Sequence, residues 1–564
     1  MSTSDGTAGL QKPVTITVDG QRITAEAGAP LLQVALDHGI QIPHYCYHPK
    51  LSIDGSCRMC QVKIEKAPKL AISCNTPITD GMVVDTQGAE VERARRGVME
   101  LLLINHPLDC PICDQAGECF LQDYSFGYGR GDARTSTPRR KGPKRVEIGP
   151  RVVFDQERCI LCRRCVRFTK EISETEELRV FGIGDRSHIG TFPGKPLDND
   201  YSINTADICP VGALLSKEFH HRLRVWFLEE TESVCASCSN GCNVKIGAYR
   251  NQIWRMVPRR NDAVNDTWMC DHGRLNFGYV HDPARIRIPT VRRPGRKGAP
   301  PEAIRTNIDD AIESAAALLR QTLDAHGPQA IGVIGSPHLT NEESFRLARL
   351  VREAIGTPNF DLVVPLGKSD DFLIKAEKAA NARGARDVGV APGAEGKDAA
   401  AMLAAAAASE LKLLFVVGSG DVVGVLGEEA VDRALGGLAS LIVQDVLPSR
   451  MTERADVVLP GLTWAEKDGS FTNHAGRVQR IRKAIAPVAE SLSDGEIFTR
   501  LHARLRAEGA RDATFEPRAA LSEVASAVPR YQGLSFDRLG SLGVPSASAA
   551  ESGSRAAVAQ AAES

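Results

Sequence analysis

A chain of 564 residues is long enough for several domains rather than one core. Its 43% hydrophobic and 25% charged content is that of a soluble globular protein, and a net charge of -1 excludes a global field that would draw in nucleic acid. The longest apolar run, AAAMLAAAAA (399–408), is half of the roughly 20 residues that span a bilayer, so any membrane contact is expected to be indirect, through a partner.

The N-terminal stretch MSTSDGTAGLQKPV lacks the basic-then-apolar pattern of a secretory signal. Fifteen cysteines in a large chain without such a signal point to a reducing compartment and metal ligation, not disulfides. All fifteen lie at or before Cys270, so a metal-rich front half is joined to a back half without thiols.

In chain order, VTITVDG (14–20) and QRITAEAG (21–28) alternate like two strands turning at Asp19 and Gly20. PLLQVALDHG (30–39) predicts a short helix ended by Gly39. Cys46, Cys57, Cys60 and Cys74 follow, spaced C-x10-C-x2-C-x13-C. Four thiolates on a small sheet-plus-helix unit suit a [2Fe–2S] cluster, with zinc the weaker alternative. Plant-type ferredoxins have a shorter first gap, so this is a relative and not a copy. Gly55 is expected to let the backbone approach the cluster sulfurs.

AEVERARRGVMELLLINH (89–106) has helical periodicity and delivers His106 to HPLDCPICDQAGEC (106–119). Cys110, Cys113 and Cys119 supply three of the four ligands an iron–sulfur cube needs. His106, Asp109 and Asp114 are the candidates for the fourth. His106 is favoured because imidazole replaces thiolate in known iron–sulfur centres. The basic segment GRGDARTSTPRRKGPKR (129–145) reads as a solvated linker.

CILCRRC gives Cys159, Cys162 and Cys165, and ICPVGAL gives Cys209 followed by Pro210. In two-cluster ferredoxins the fourth cysteine of each C-x2-C-x2-C-x3-C-P repeat ligates the other cluster. Here the first repeat has Thr169 at its fourth position, and the second has Asn199, Ser202 and Thr205 at its first three. The surviving cysteines therefore serve a single [4Fe–4S], and the twin is lost. Cys235, Cys238, Cys242 and Cys270 form the last group, C-x2-C-x3-C-x27-C, read as another [4Fe–4S] with zinc as alternative. The groups take four, three, four and four cysteines, which accounts for every thiol.

Together, the ordered set of motifs over residues 14 to 275 resembles the large iron–sulfur subunits of bacterial NADH:quinone oxidoreductase, respiratory complex I. TNEESFRLARLVREAIGTPNFD (340–361) and ADVVLPGLTWAEKDGSFTNHAGRVQ (455–479) look like molybdopterin-oxidoreductase domains, which members of this family carry in degenerate form. The resemblance implies an electron wire with no catalytic centre of its own. Its implied partners are an NADH/FMN-binding subunit and a downstream iron–sulfur subunit, on the cytoplasmic side of the bacterial inner membrane. It also implies that the cluster of the Cys235 group lies off the main route. The rival reading, a molybdenum-dependent NAD-linked formate dehydrogenase, needs a catalytic Cys or selenocysteine that the chain does not offer.

The expected fold is multidomain α/β. A β-grasp [2Fe–2S] ferredoxin-like domain (1–88) leads into a segment with one histidine and three cysteine ligands and a basic linker (89–145). A ferredoxin-type domain with one cluster lost (146–228) and a four-cysteine domain (229–285) come next. A molybdopterin-oxidoreductase-like scaffold (286–535) follows, with parallel strands at 330–336, 359–365, 411–418, 438–445 and 455–460 separated by helix-length sequence. No molybdopterin is expected there, and VVGSGDVVG (416–424) departs from a strict dinucleotide fingerprint. The Ala/Ser-rich end, 536–564, is expected to be disordered.

Overall fold

The first hairpin forms as Pro13–Val18 against Gln21–Glu26. Asp19 and Gly20 take φ of 49° and 83°, the paired positive values of a turn whose twist suits a hairpin. This computed structural model describes residues 12–293, 301–506 and 513–547. The sequence expectations for 1–11 and 548–564 fall outside them. Two compact units divide the chain, one up to Leu228 and one from Glu229.

In the first unit, the hairpin belongs to a five-stranded sheet in the order 21–26, 13–18, 83–85, 61–64, 71–72. Pro13–Val18 runs parallel to Val83–Asp85, and the other pairs are antiparallel. Helix Leu31–Asp37 lays Leu31, Leu32, Val34 and Ala35 against Ile16, Val18, Ile23 and Val62, the grasp of a sheet around one helix. The next helix, Ala89–Leu103, stops three residues before the expected 106. Pro107 disfavours α conformation at His106, so the chain must leave the helix before it. Residues 129–145 are largely exposed, as a linker should be, yet they are tied down. Arg134 pairs with Glu100, Arg140 with Asp185 and Lys144 with Asp109. The ferredoxin-type region is built on Val152–Phe154, paired antiparallel with Leu214–Ser216 and Val146–Glu147, and on helix Arg164–Glu171.

The second unit begins with an antiparallel sheet of Glu229–Val234, Asn243–Tyr249 and Gln252–Pro258. Its centre is a seven-stranded sheet. Strands Phe360–Leu362, Ile331–Gly335, Leu413–Val417, Ser440–Asp445 and Val457–Pro460 lie side by side in that order, every neighbouring pair parallel. Thr290–Arg293 and Glu302–Arg305 extend one edge antiparallel. Alternate residues feed opposite faces. Val333, Phe415 and Ile442 meet Leu319, Leu347 and Phe498 on one side, while Ile334, Leu414 and Val443 meet Met402, Leu403 and Val431 on the other. Burial on both faces explains why these strands read as continuous apolar runs. One connection departs from expectation: residues 446–456, with Pro448 near their start, join two parallel strands without an α-helix. The Ala-rich run is helix Ala399–Ala407 beneath this sheet, and no helix among the described residues is long and apolar enough to cross a membrane.

The expected disorder from residue 536 does not hold for 536–547. Phe536–Leu539 is a helical turn whose Phe536 and Leu539 join Leu521, Val524 and Tyr531 in a buried cluster. Val544–Pro545 then adds a strand to Arg477–Ile481. Two buried apolar anchors outweigh the low-complexity composition that follows them.

Candidate metal centres

All fifteen cysteines are free thiols, and most are buried. In the first group, the thiols of Cys46 and Cys57 hydrogen-bond with each other, as do those of Cys60 and Cys74. The Cys57 contact pulls the Cys46 thiol down, and the Cys74 contact pulls the Cys60 thiol down. The charge of Cys46 is also felt at Cys60 and Cys74, so the four sulfurs share one site at the edge of the grasp domain. Gly55 has a φ of 66°, and a side chain there would meet Ile72 at 3.2 Å, not a sulfur. The positive φ makes a left-handed turn in the loop between Cys46 and Cys57, a conformation that favours glycine.

In the second group, Cys113 and Cys119 are buried and Cys110 is exposed. Cys110 and Cys119 line one cavity of about 890 Å³ together with His106. Burial and the Arg158 guanidinium hold His106 down to about 4, so its imidazole is neutral at physiological pH, the form that ligates metal. The other two candidates are engaged elsewhere. Asp109 is paired with Lys144 at 2.7 Å and Arg158 at 3.0 Å. Asp114 accepts the backbone N–H of His221 at 2.8 Å. Gly212 is required beside this loop, because a Cβ there would lie 2.1 Å from Cys113 Sγ.

Cys159, Cys162, Cys165 and Cys209 line a single narrow pocket, walled by Phe154, Ile189 and Leu214. Burial pushes the Cys162 thiol up to about 11. The Cys159 sulfur accepts Leu161 N–H at 3.4 Å, and backbone N–H groups of Val211, Leu214 and Ala213 favour the Cys209 thiolate. Where the second repeat would have held its cluster, Thr169, Ser202 and Thr205 are fully buried. Thr205 donates to Ser202 O at 2.7 Å and Thr169 to Val166 O at 3.2 Å, so protein hydrogen bonds occupy that ground.

The fourth group lies in the second unit, with three of its cysteines in the loop that joins the first two strands of its antiparallel sheet. Cys235 and Cys242 flank strands Glu229–Val234 and Asn243–Tyr249, and Cys235 N–H donates to Cys242 O at 2.8 Å. Cys270 precedes helix Asp271–Leu275 and accepts Gly273 N–H at 3.3 Å. A Cβ on Gly273 would lie 3.1 Å from Cys235 Sγ and 3.2 Å from Cys270 Sγ, so the two sulfurs face each other across that glycine. Burial pushes Cys235 up to about 12 and Cys270 up to about 11. Thiols this hard to ionise would release their protons to solvent only as a bound metal cation takes the proton's place.

Sequence reasoning missed four side chains that serve these sites. Arg164 and Arg167, both buried, reach from the third cysteine group to the first. Arg164 donates to Tyr47 O, and Arg167 to Cys46 O and Ser52 O. Arg163 pairs with Asp54 of the same loop at 3.1 Å. Asn240 donates to the Cys242 sulfur at 3.1 Å. The arginines stand in plain view in CILCRRCVRF, but nothing in spacing tells which way they point.

In the second unit, the loops after Ile331–Gly335 and Leu413–Val417 meet where the strand order reverses, the usual ligand crevice of an open α/β sheet. His338 Nε2 lies 3.2 Å from Asp421 there, and Ser419 Oγ donates to Asp445 at 2.6 Å.

Comparison with known proteins matches five families in order. They are a 2Fe-2S iron-sulfur cluster binding domain (11–89) and an NADH-ubiquinone oxidoreductase-G iron-sulfur binding region (95–134). The ferredoxin-like domain of NADH-quinone oxidoreductase subunit 3 (149–215) and an NDSU1/NuoG-like 4Fe-4S domain (228–278) come next, then molybdopterin oxidoreductase (373–504). The chain is 42% identical to the mitochondrial NADH-ubiquinone oxidoreductase 78 kDa subunit of Neurospora crassa, over 64% of this chain and 47% of that protein. It is 37% identical to the G-type subunit of NADH-quinone oxidoreductase from Rickettsia felis, over 62% and 50%. It is also 36% identical to the NADPH-Fe(3+) oxidoreductase subunit alpha of Geobacter sulfurreducens, over 63% and 40%. The chain thus spans 40–50% of the length of these curated relatives, and over those parts it is similar to the 78 kDa and G-type iron–sulfur subunits of NADH-quinone oxidoreductase.

Proposed function

We propose that the chain is an electron-transfer subunit of an NADH:quinone oxidoreductase. Its ligand sets are Cys46, Cys57, Cys60 and Cys74 for a [2Fe–2S]; His106, Cys110, Cys113 and Cys119; Cys159, Cys162, Cys165 and Cys209; and Cys235, Cys238, Cys242 and Cys270 for three [4Fe–4S]. The reading rests chiefly on one observation: the thiols assort into separate groups with none left over, and the group one thiol short has His106 on its cavity. The pairing of Asp109 with Lys144 and Arg158, and the turning of the Asp114 carboxylate toward His220 and His221, support His106 as the fourth donor of the cysteine group. Bound at these sites, the clusters supply one-electron carriers. The protein's own residues keep solvent off most of the sulfurs, aim backbone N–H groups at several of them, and place Arg164 and Arg167 between the first and third sites.

No molybdopterin is assigned to the second unit. A pyrophosphate-bearing cofactor favours neutral or positive surroundings, and the crevice carries Asp421 and Asp445. The partners that fit are an NADH/FMN-binding subunit and a downstream iron–sulfur subunit, placing the chain at the cytoplasmic face of a bacterial inner membrane. A second reading, a subunit that serves an acceptor other than quinone, draws on the Geobacter relative.

Elemental analysis of anaerobically purified protein tests the assignment. The expected result is about 14 irons per chain, without zinc or molybdenum in the cysteine sites or the crevice. Roughly 10 irons with zinc that survives only while Cys235 and Cys270 are intact would make the last group a structural zinc site. Stoichiometric molybdenum would make the second unit an active site. NADH-dependent quinone reduction by the purified complex separates the two acceptor readings.

A further inference from the structure

Among the described residues, one group of potential metal donors contains no cysteine: Asp114, His220 and His221. Asp114 follows Cys113 in the second cysteine loop, and the histidines sit on the turn after strand Leu214–Ser216. One donor atom from each lies within 4.8 Å of the other two. Asp114 Oδ2 is 3.6 Å from His220 Nε2, and the two imidazoles stack with centroids 3.9 Å apart and planes 29° apart. The carboxylate is buried at 6% exposure, His220 is half-buried and His221 is exposed. The set is therefore closed on the carboxylate side and open to solvent on the imidazole side, which gives an ion a way in.

Two imidazoles and a carboxylate are the protein donors of open zinc sites, where bonds of about 2.0–2.1 Å put neighbouring donors roughly 3.4 Å apart. The Asp114–His220 separation of 3.6 Å is already close to that value, and the His221 donor lies within 4.8 Å of both. The backbone N–H of His221, donating to the same carboxylate at 2.8 Å, fixes the oxygen's orientation. Anchoring of the turn by Asp114 would account for that one hydrogen bond, but not for two imidazoles stacked beside the same carboxylate. Arg158 and Arg145 act on His220. The charge of Arg158 is met by Asp109 at 3.0 Å and Asp155 at 3.3 Å, so it does not by itself repel a cation.

We propose that Asp114, His220 and His221 form a binding site for a divalent transition-metal ion such as zinc, separate from the iron–sulfur sites and one residue from Cys113. The ion is held by its three protein donors, with the fourth position left to water.

Equilibrium dialysis of the full, cluster-loaded chain against zinc tests the site, with zinc and iron counted in wild type, His220→Ala/His221→Ala and Asp114→Asn. The wild type is expected to bind one zinc at roughly 10 μM or tighter, and both variants to bind it at least about tenfold more weakly with unchanged iron. Asp114→Asn keeps an acceptor for the His221 N–H, so it carries the test if the double variant misfolds. Equal zinc binding by wild type and variants overturns the proposal, as does no binding by wild type below about 100 μM. Zinc that displaces iron alike in all three proteins also overturns the proposal, because the ion is then taken up at the cysteine sites rather than here.

Discussion

The side-chain amide of Asn240 donates to the sulfur of Cys242 at 3.1 Å, in a site where every thiol is buried. A hydrogen bond to a ligating thiolate stabilises the more negative, reduced state and so raises the potential. Asn240→Leu should lower the reduction potential of that cluster by up to about 60 mV, the one-electron equivalent of a net hydrogen bond. An EPR-monitored redox titration reads it, and an unmoved potential at full iron content would refute the tuning role.

His106→Cys should keep a cluster in the second site and lower its potential on the order of 100 mV, since thiolate adds a negative charge that neutral imidazole does not. The same titration applies. A potential that stays or rises would remove His106 from the ligand set.

Arg167→Leu strips hydrogen bonds from the carbonyls of Cys46 and Ser52, at about 1–3 kcal/mol for the buried Cys46 carbonyl left unpaired. Thermal denaturation should show a lower midpoint, and iron analysis should show loss from the first site ahead of the others. Full iron with an unchanged midpoint would mean the loop holds its shape without the guanidinium.

Glu342 is buried and accepts Ser470 N–H at 2.9 Å, and desolvation pushes its carboxyl up to about 7 from 4.5. A raised carboxyl contributes stability that is fully present below the unfolded value of about 4.5 and is lost as pH climbs through 7. The full difference is about 3 kcal/mol. Glu342→Gln cannot ionise, so its melting temperature should gain on wild type between pH 5 and pH 8. A gap independent of pH would show that the carboxyl is ionised throughout.

Much of this architecture was legible because metal sites and parallel sheets both write short-range signals. Cysteine spacing separated the four groups, and unbroken apolar runs marked the five parallel strands. What escaped depended on contacts distant in sequence. Arg164 and Arg167 reach more than a hundred residues back to the loop after Cys46, and no periodicity encodes that direction. The sequence admits Asp109 and Asp114 beside the favoured His106, and the partners of the two carboxylates are visible only in the structure. The ordering of 536–547 turned on Phe536 and Leu539, two apolar residues at the start of a stretch whose average composition hid them.

Thr169, Ser202 and Thr205 give the incomplete ferredoxin repeat a one-way character. An iron–sulfur cube needs room as well as sulfur, and these side chains have spent that room on bonds to their own backbone. Returning cysteine to positions 169, 199, 202 and 205 would restore a motif without restoring a cavity. On the proposed ligand assignment, packing locks this domain in a single-cluster form, and a designer seeking a second carrier would have to carve the space before supplying the ligands.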